Sequence, residues 1–299
     1  MAARPQTLPA GAAPVVVGTG LALHSGVFAL LPAVGALLGA LLLQVGTNFA
    51  NDYYDAVKGT DSAEREGFTR VTAGGLIEPT RVRQAMAATY ALAVVVGLYL
   101  VSVGGLPILV VGLSSIAAGV LYTGGPYPYG YRGLGDLFVF VYFGLVAVAG
   151  TYYVQAAATL PGVSVLPVGI PAGTVTAASL VAALPAAGLS TAILVVNNVR
   201  DREEDADAGK RTLAVRFGYT FSRVQFAAML VLAYAVPAWF FARTGEPTVF
   251  LPYLSLPLAA SVTKTVFTRT DGEALNPALT RTGQLLALYA LLFGVGLAL

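Results

Sequence analysis

Asn48, Asp52 and Asp55 recur at i, i+4 and i+7, and Asn198, Asp201 and Asp205 at i, i+3 and i+7. Either spacing places polar side chains on one face of a helix, with Asn51 and Asn197 beside the two stripes. Each stripe closes a strongly apolar run, one beginning near Leu31 and the other near Val175. Carboxylates are costly in such a place. An Asp at the centre of a membrane helix costs roughly 2.5–3.5 kcal/mol on insertion scales, and a helix C-terminus adds the negative end of its dipole. Several anions gathered there need a cation. Paired acidic clusters at a membrane surface therefore read as a divalent-metal site, with Asp52, Asp55, Asp201 and Asp205 as its ligands. Hard oxygen donors suit Mg²⁺, which commonly pairs one or two carboxylates with phosphate oxygens of a substrate. Lys58 and Arg70 follow the first stripe and Lys210 and Arg211 the second, where they would neutralise the remaining phosphate charge. Glu64, Glu66, Glu203, Glu204 and Asp207 read as solvated charges of the loops.

A third segment, Tyr122 to Asp136, carries four tyrosines between Tyr122 and Tyr131. Its glycines resemble a phosphate loop, but no Gly-Lys-Ser/Thr ending supports that reading. Tyr122, Tyr129 and Tyr131 offer flat apolar faces with hydroxyl tips, suited to an aromatic substrate, and Arg132 supplies a cation beside them. Arg132 and Asp136 stand four residues apart and are expected to pair. His24 is the sole histidine and cysteine is absent, so no thiolate nucleophile, disulfide or Ser/His/Asp triad can be assembled. His24 reads as a packed residue of the first span.

The elements that position these residues are membrane helices. Apolar residues make up 57% of the 299-residue chain and charged ones 11%, with a mean hydropathy of +0.75, far from the ~25% charge of soluble domains. Nine spans of the necessary length are expected, at about 11–30, 32–56, 82–104, 106–122, 135–158, 173–198, 219–242, 247–268 and 280–299. With that count every basic residue except Arg243, and every acid except Glu246, falls on one side. The positive-inside rule makes that side cytoplasmic, so the N-terminus and the charged loops lie inside and the C-terminus outside. The Arg4-led N-terminal stretch reads as the first helix, not a cleaved signal. Trp239, with Phe240, Phe241, Phe250 and Tyr253 nearby, reads as an interfacial belt. A net charge of +2 argues against a nucleic-acid partner. The expected architecture is all-α: one polytopic domain over 1–299, nine transmembrane helices around a central cavity, in two weakly related halves of about 1–150 and 151–299.

The chain closely resembles the UbiA superfamily of intramembrane prenyltransferases, in particular the 1,4-dihydroxy-2-naphthoate polyprenyltransferases of menaquinone synthesis. The resemblance spans nearly the whole chain. It rests on Arg4-Pro5-Gln6-Thr7-Leu8-Pro9, on Asn51 to Asp61, on Tyr122-Thr123-Gly124-Gly125-Pro126-Tyr127-Pro128, on Tyr131-Arg132-Gly133-Leu134-Gly135, on Asn197-Asn198-Val199-Arg200-Asp201 running on to Arg216, and on Asn276-Pro277-Ala278-Leu279. The superfamily's first motif, Asn-Asp-x-x-Asp-x-x-x-Asp, matches Asn51, Asp52 and Asp55, but its final acid position is Gly59, with Asp61 two residues later as a candidate substitute. The second motif, Asp-x-x-x-Asp, matches Asp201 and Asp205.

The resemblance implies a UbiA-type fold in the cell membrane and Mg²⁺-dependent transfer of a polyprenyl chain from polyprenyl diphosphate to 1,4-dihydroxy-2-naphthoate, with loss of CO₂. Asn48, Asn51, Lys58, Arg70, Asn198, Lys210 and Arg211 would then bind the diphosphate, and Tyr122, Tyr129, Tyr131 and Arg132 the acceptor. Another aromatic acceptor such as 4-hydroxybenzoate is the alternative within this chemistry. A secondary transporter is the alternative outside it, although coupling acids belong near mid-bilayer and these lie at one interface.

Overall fold

The computed structural model describes residue 4, residues 7–59, residue 72 and residues 74–299; the sequence-designated Asp61 and Arg70 lie outside the described residues. All regular elements among the described residues are helical: α1 (Leu8–His24), α2 (Leu30–Lys58), α3 (Pro79–Leu121), α4 (Gly135–Val139), α5 (Ala147–Thr159), α6 (Ala177–Arg200), α7 (Arg202–Asp207), α8 (Leu213–Thr244), α9 (Leu256–Thr268) and α10 (Gly272–Ala298). A π-helical stretch, Phe140–Val146, joins α4 to α5 as one span, and a 3₁₀ stretch, Pro247–Ser255, leads into α9.

Seven of these stretches are long and apolar enough to cross a membrane. At 43 residues, α3 is too long to be one span of a ~30 Å hydrocarbon core. It is broken at Gly105, whose φ of 65° and ψ of −151° turn the chain back. With α3 counted as two spans and the 17-residue apolar helix α1 added, the described residues hold the nine expected. The break at Gly105 is tightly enclosed. A Cβ there would stand 2.0 Å from the carbonyl oxygen of Pro167, which accepts the Leu106 N–H at 2.9 Å.

The first span ends earlier than its apolar run suggests. Gly26, at φ 68°, stops α1 after His24, so His24 is an exposed helix end and not a packed interior residue. Hydropathy alone could not locate this end, because Val27 to Leu31 continue the apolar run.

Helix α6 lies at the centre, packed on α1, α5, α8, α10 and the π-helical stretch. Ala182, Ala183, Ala186 and Ala187 are buried along it. Lipid removes most of the hydrophobic drive between helices, so packing depends on small residues that let backbones approach. Gly144 sits against Ala187, Gly188 against the Met229 carbonyl, and Gly20 of α1 against Gly294 of α10. The last of these contacts closes α10 onto α1, while α2 packs mainly on α3. The chain is thus a multi-pass membrane protein whose spans close around an interior.

Candidate active site

The first acid stripe lies on the buried face of α2. Asn48, Asp52 and Asp55 are all buried, while Lys58 one turn further on is exposed at the helix end. Gly59, in the left-handed region at φ 66°, ends the helix there. Asp52 accepts a 2.5 Å hydrogen bond from the hydroxyl of Thr72, and Asp55 accepts one from the hydroxyl of Tyr131. Lys58 Nζ donates to the carbonyls of Thr123 at 2.6 Å and Gly125 at 3.2 Å, and the Thr123 hydroxyl donates to Asn51 Oδ1 at 3.1 Å. The stripe is therefore tied to the tyrosine-rich loop.

The second stripe departs from a single helix face. Helix α6 ends at Arg200; Asp201 occupies the junction at φ −89°, ψ 8°, and Asp205 belongs to the separate short helix α7. The spacing still brings them together, because the Asp205 N–H donates to the Asp201 carbonyl at 2.8 Å. Both carboxylates are buried and charge-paired. Arg200 Nε meets Asp201 Oδ1 at 2.6 Å, and Lys210 Nζ meets Asp205 Oδ1 at 3.0 Å. The Arg200 guanidinium also donates to Asn197 at 2.9 Å and to Asn276 of α10 at 2.9 Å. The sequence reading assigned Arg200 no role. Its signal was its place between Asn197 and Asp201, where a cation must be buried with them.

Tyr131 joins the two stripes. Its hydroxyl reaches Asp55, the ammonium groups of Lys58 and Lys210 stand 5.5 Å and 5.2 Å from its ring centre, and its carbonyl accepts the Arg211 N–H at 2.7 Å. A cation over a tyrosine face is attracted by the ring quadrupole. Tyr122, just past the end of α3, senses both stripes. Burial, then the charges of Asp136, Tyr129, Asp205 and Asp55, push its hydroxyl well above the ordinary tyrosine range, so it stays a neutral donor.

Below this cap lies a cavity of about 470 Å³. Its mouth is lined by Arg4, Thr7, Asn48, Asn51, Asn197 and Arg200, and its depth by apolar side chains including Leu98, Val101, Ile108 and Leu113. Tyr122 and Tyr129 form an aromatic wall with Phe138 and Tyr142; Tyr129 stacks on Phe138 at 4.0 Å between ring centres. Of the sequence-designated residues among those described, Asn48, Asn51, Tyr122 and Tyr129 line this cavity; the four motif aspartates, Lys58, Asn198, Tyr131, Arg132, Lys210 and Arg211 do not. Asn198 points elsewhere because its neighbour Asn197 holds the lining register. Arg132 and Arg211 border a smaller pocket outside with Pro128, Tyr131 and Gly209. The expected Arg132–Asp136 pair is replaced by two other contacts. Arg132 stacks over Tyr127 at 4.6 Å, and Asp136 accepts from Gln225 of α8 at 2.9 Å.

Among the described residues no three acidic or histidine side chains group to hold one ion. The donor set nevertheless suits Mg²⁺. That ion is usually held by one or two carboxylates, with the remaining positions filled by water and substrate phosphate, and two buried aspartate pairs with adjacent ammonium groups meet that requirement.

The sequence model of the UbiA prenyltransferase family matches residues 12–298. The chain belongs to the UbiA prenyltransferase family. A protein of Mycobacterium tuberculosis named 1,4-dihydroxy-2-naphthoate octaprenyltransferase is 38% identical over 298 residues, covering 99% of this chain and 95% of that protein. The fold is similar to the apo structure of a UbiA homolog from Aeropyrum pernix K1, with a TM-score of 0.71 at 14% identity over 96% of each chain. It is also similar to a UbiA homolog from Archaeoglobus fulgidus bound to DMAPP and Mg²⁺, with a TM-score of 0.57 at 17% identity over 98% of each chain. The UbiA fold accounts for a bundle whose two motif helices, α2 and α6, end at one cavity.

Proposed function

We propose that the protein transfers a polyprenyl group from polyprenyl diphosphate to 1,4-dihydroxy-2-naphthoate, at the ring carbon bearing the carboxylate. CO₂ is lost, and the products are the quinol form of demethylmenaquinone and diphosphate. The observation that carries this reading is the meeting of both aspartate motifs and the tyrosine-rich loop over one apolar cavity. The likeness over nearly the full chain to a protein named for this reaction names the acceptor.

Asp52, Asp55, Asp201 and Asp205 would hold Mg²⁺, with Asp61 as a further candidate ligand. When bound, the ion neutralises charge on the diphosphate as a Lewis acid. Lys58, Lys210 and Arg211, with Asn48, Asn51 and Asn198, would oppose the charge that develops on the leaving diphosphate as the allylic C–O bond breaks and the diphosphate keeps the electron pair; Arg70, outside the described residues, is a further candidate for the same role. The apolar depth of the cavity holds the isoprenoid tail and keeps water from the allylic cation. The electron-rich ring forms the new C–C bond, and the pair released with CO₂ restores its aromaticity. Tyr122 and Tyr129 offer the ring its stacking faces, with Tyr131 and Arg132 on the outer side of the same loop. No side chain is needed as a strong base.

The protein is read as resident in the cell membrane, with its N-terminus and site loops cytoplasmic and the C-terminus outside; the one-sided distribution of Lys and Arg supports this. Residues 1–299 are read as one domain of two related halves, about 1–150 and 151–299, each contributing one aspartate motif.

The test is product identification by mass spectrometry. Purified protein is offered several prenyl diphosphates with either dihydroxynaphthoate or 4-hydroxybenzoate, with and without Mg²⁺. Mg²⁺-dependent prenylation of dihydroxynaphthoate with release of labelled CO₂ is expected. Preference for hydroxybenzoate, or a product that keeps its carboxylate, overturns the acceptor assignment.

A further inference from the structure

Two polar residues lie deeper in the cavity than the motifs and are not accounted for by diphosphate or metal. Gln44 of α2 and Ser190 of α6 both line the cavity and are both more than nine-tenths buried. Gln44 Oε1 and Ser190 Oγ have no hydrogen-bond partner. Each stands seven residues before a mouth asparagine, Gln44 before Asn51 and Ser190 before Asn197. At 1.5 Å per residue that is about 10 Å back along either motif helix from its asparagine, and the Gln44 amide reaches Thr7 at the inner edge of the mouth.

The free atom of Gln44 is fixed as an acceptor by its surroundings. The Thr7 hydroxyl donates to the Arg4 carbonyl at 2.9 Å, so its oxygen can only accept from the Gln44 amide at 3.0 Å and from the Asn48 amide at 2.9 Å. Gln44 therefore spends its NH₂ on Thr7 and leaves its carbonyl oxygen unfilled. Ser190 is unusual in a different way. Hydroxyls along these helices are ordinarily spent on the carbonyl four residues back, as in Thr151, Thr191 and Thr282 at 2.7–2.8 Å. Ser190 makes no such bond, and leaving a buried polar atom unmatched carries a desolvation cost.

We propose that Gln44 and Ser190 form a deep polar tier that binds the hydroxyl groups of the aromatic acceptor. The inference rests on the prenyltransferase reading above and names the specificity-determining residues of its acceptor site. Of the three chemical groups the cavity would receive, only one fits. An isoprenoid tail has no hydrogen-bonding group, and a diphosphate offers acceptors that cannot fill a carbonyl oxygen. A ring hydroxyl donates to Gln44, and a second hydroxyl can donate to or accept from Ser190. Helices α2 and α6 both pack on α1 and α5, so the two residues present their groups from different walls.

The test measures KM for each substrate in Gln44→Met, Ser190→Ala and Ser190→Thr, with wild type alongside. Gln44→Met and Ser190→Ala are expected to raise the acceptor KM roughly three- to tenfold and leave the prenyl-diphosphate KM within twofold, while Ser190→Thr keeps the wild-type value. A mono-O-methyl ether of the acceptor should bind wild type less well than the diol, and that preference should shrink in the variants. Unchanged acceptor KM in both variants, or both KM values rising together, overturns the inference and leaves water as the occupant of this tier. If Gln44→Met does not accumulate as folded protein, the Ser190 pair decides alone. Failure of the prenyltransferase reading is distinct: wild type then turns over no dihydroxynaphthoate, and any other hydroxylated ring it accepts is carried through the same variants.

Discussion

Asp52 and Asp201 are each buried and contribute little apolar packing, but Asp201 pairs with the buried Arg200, and deleting it outright would strand that charge; the isosteric amide separates chemistry from folding. Asp52→Asn or Asp201→Asn is expected to lower turnover at least a hundredfold while the protein still elutes as a single folded species. The double variant should lose little more than either alone, because groups that serve one site are not additive; wild-type rates at limiting Mg²⁺ in either single variant would overturn the assignment. Arg132, stacked on Tyr127 outside the cavity, is expected to matter less. Arg132→Ala should change the acceptor KM less than Tyr129→Ala does, since Tyr129 is buried in the aromatic wall. The paired aspartates were legible from spacing alone, because the period of a helix is local. The roles of Arg200 and Gln44 were not. Whether a side chain lines a cavity depends on which face its helix turns inward, and Asn197 rather than Asn198 takes that position for reasons of packing that spacing does not contain.

Helix identity was readable from apolar run length, and helix ends were readable only where glycine or a capping residue marked them. Gly59, Gly105 and Gly245 end or break their helices in the left-handed region, and Thr176, Thr212 and Asp271 cap the helices that follow them. The split of the second acid stripe between α6 and α7 was hidden, because Arg200 to Asp205 has no breaker. Gly105→Ala tests the turn in α3. A left-handed conformation costs a non-glycine residue about 1–2 kcal/mol, and the added Cβ would meet the Pro167 carbonyl. A lower Tm and loss of protease resistance in the 160–175 loop are expected. Asp271 is held down to about 2 by the Arg269 side chain and by the Ala274 N–H that it caps. A carboxyl depressed in the folded state stabilises above the unfolded value near 4 and loses that contribution as pH falls towards 2. Asp271→Asn should therefore lower Tm at neutral pH, and the difference from wild type should vanish at the acid end.

For the whole molecule, one end of the bundle carries all the chemistry. The loop around Gly130 and the α7–α8 junction around Gly209 are brought together by the Arg211–Tyr131 hydrogen bond. The α5–α6 loop, by contrast, seals the turn at Gly105 on the opposite side. The chain has no cysteine, so single cysteines can be introduced without background. Those at Pro126, exposed in the same loop as Gly130, and at Gly209 are expected to react with a membrane-impermeant thiol reagent only from the cytoplasmic side, and one at Gly162 only from outside. Labelling of Gly209 from outside would overturn the orientation.

Helix α10 is synthesised after every motif is already in the membrane, yet it docks on α1, and its Asn276 holds the Arg200 guanidinium. The ribosome must therefore finish α10 before α1, already packed on α2, α5 and α6, is covered on its remaining side. A chain cut short before Gly272 would carry both aspartate motifs intact and still lack a closed chamber. Completeness of translation is thereby a precondition for a closed cavity, since Leu279, Thr280 and Gly283 of α10 form part of its wall.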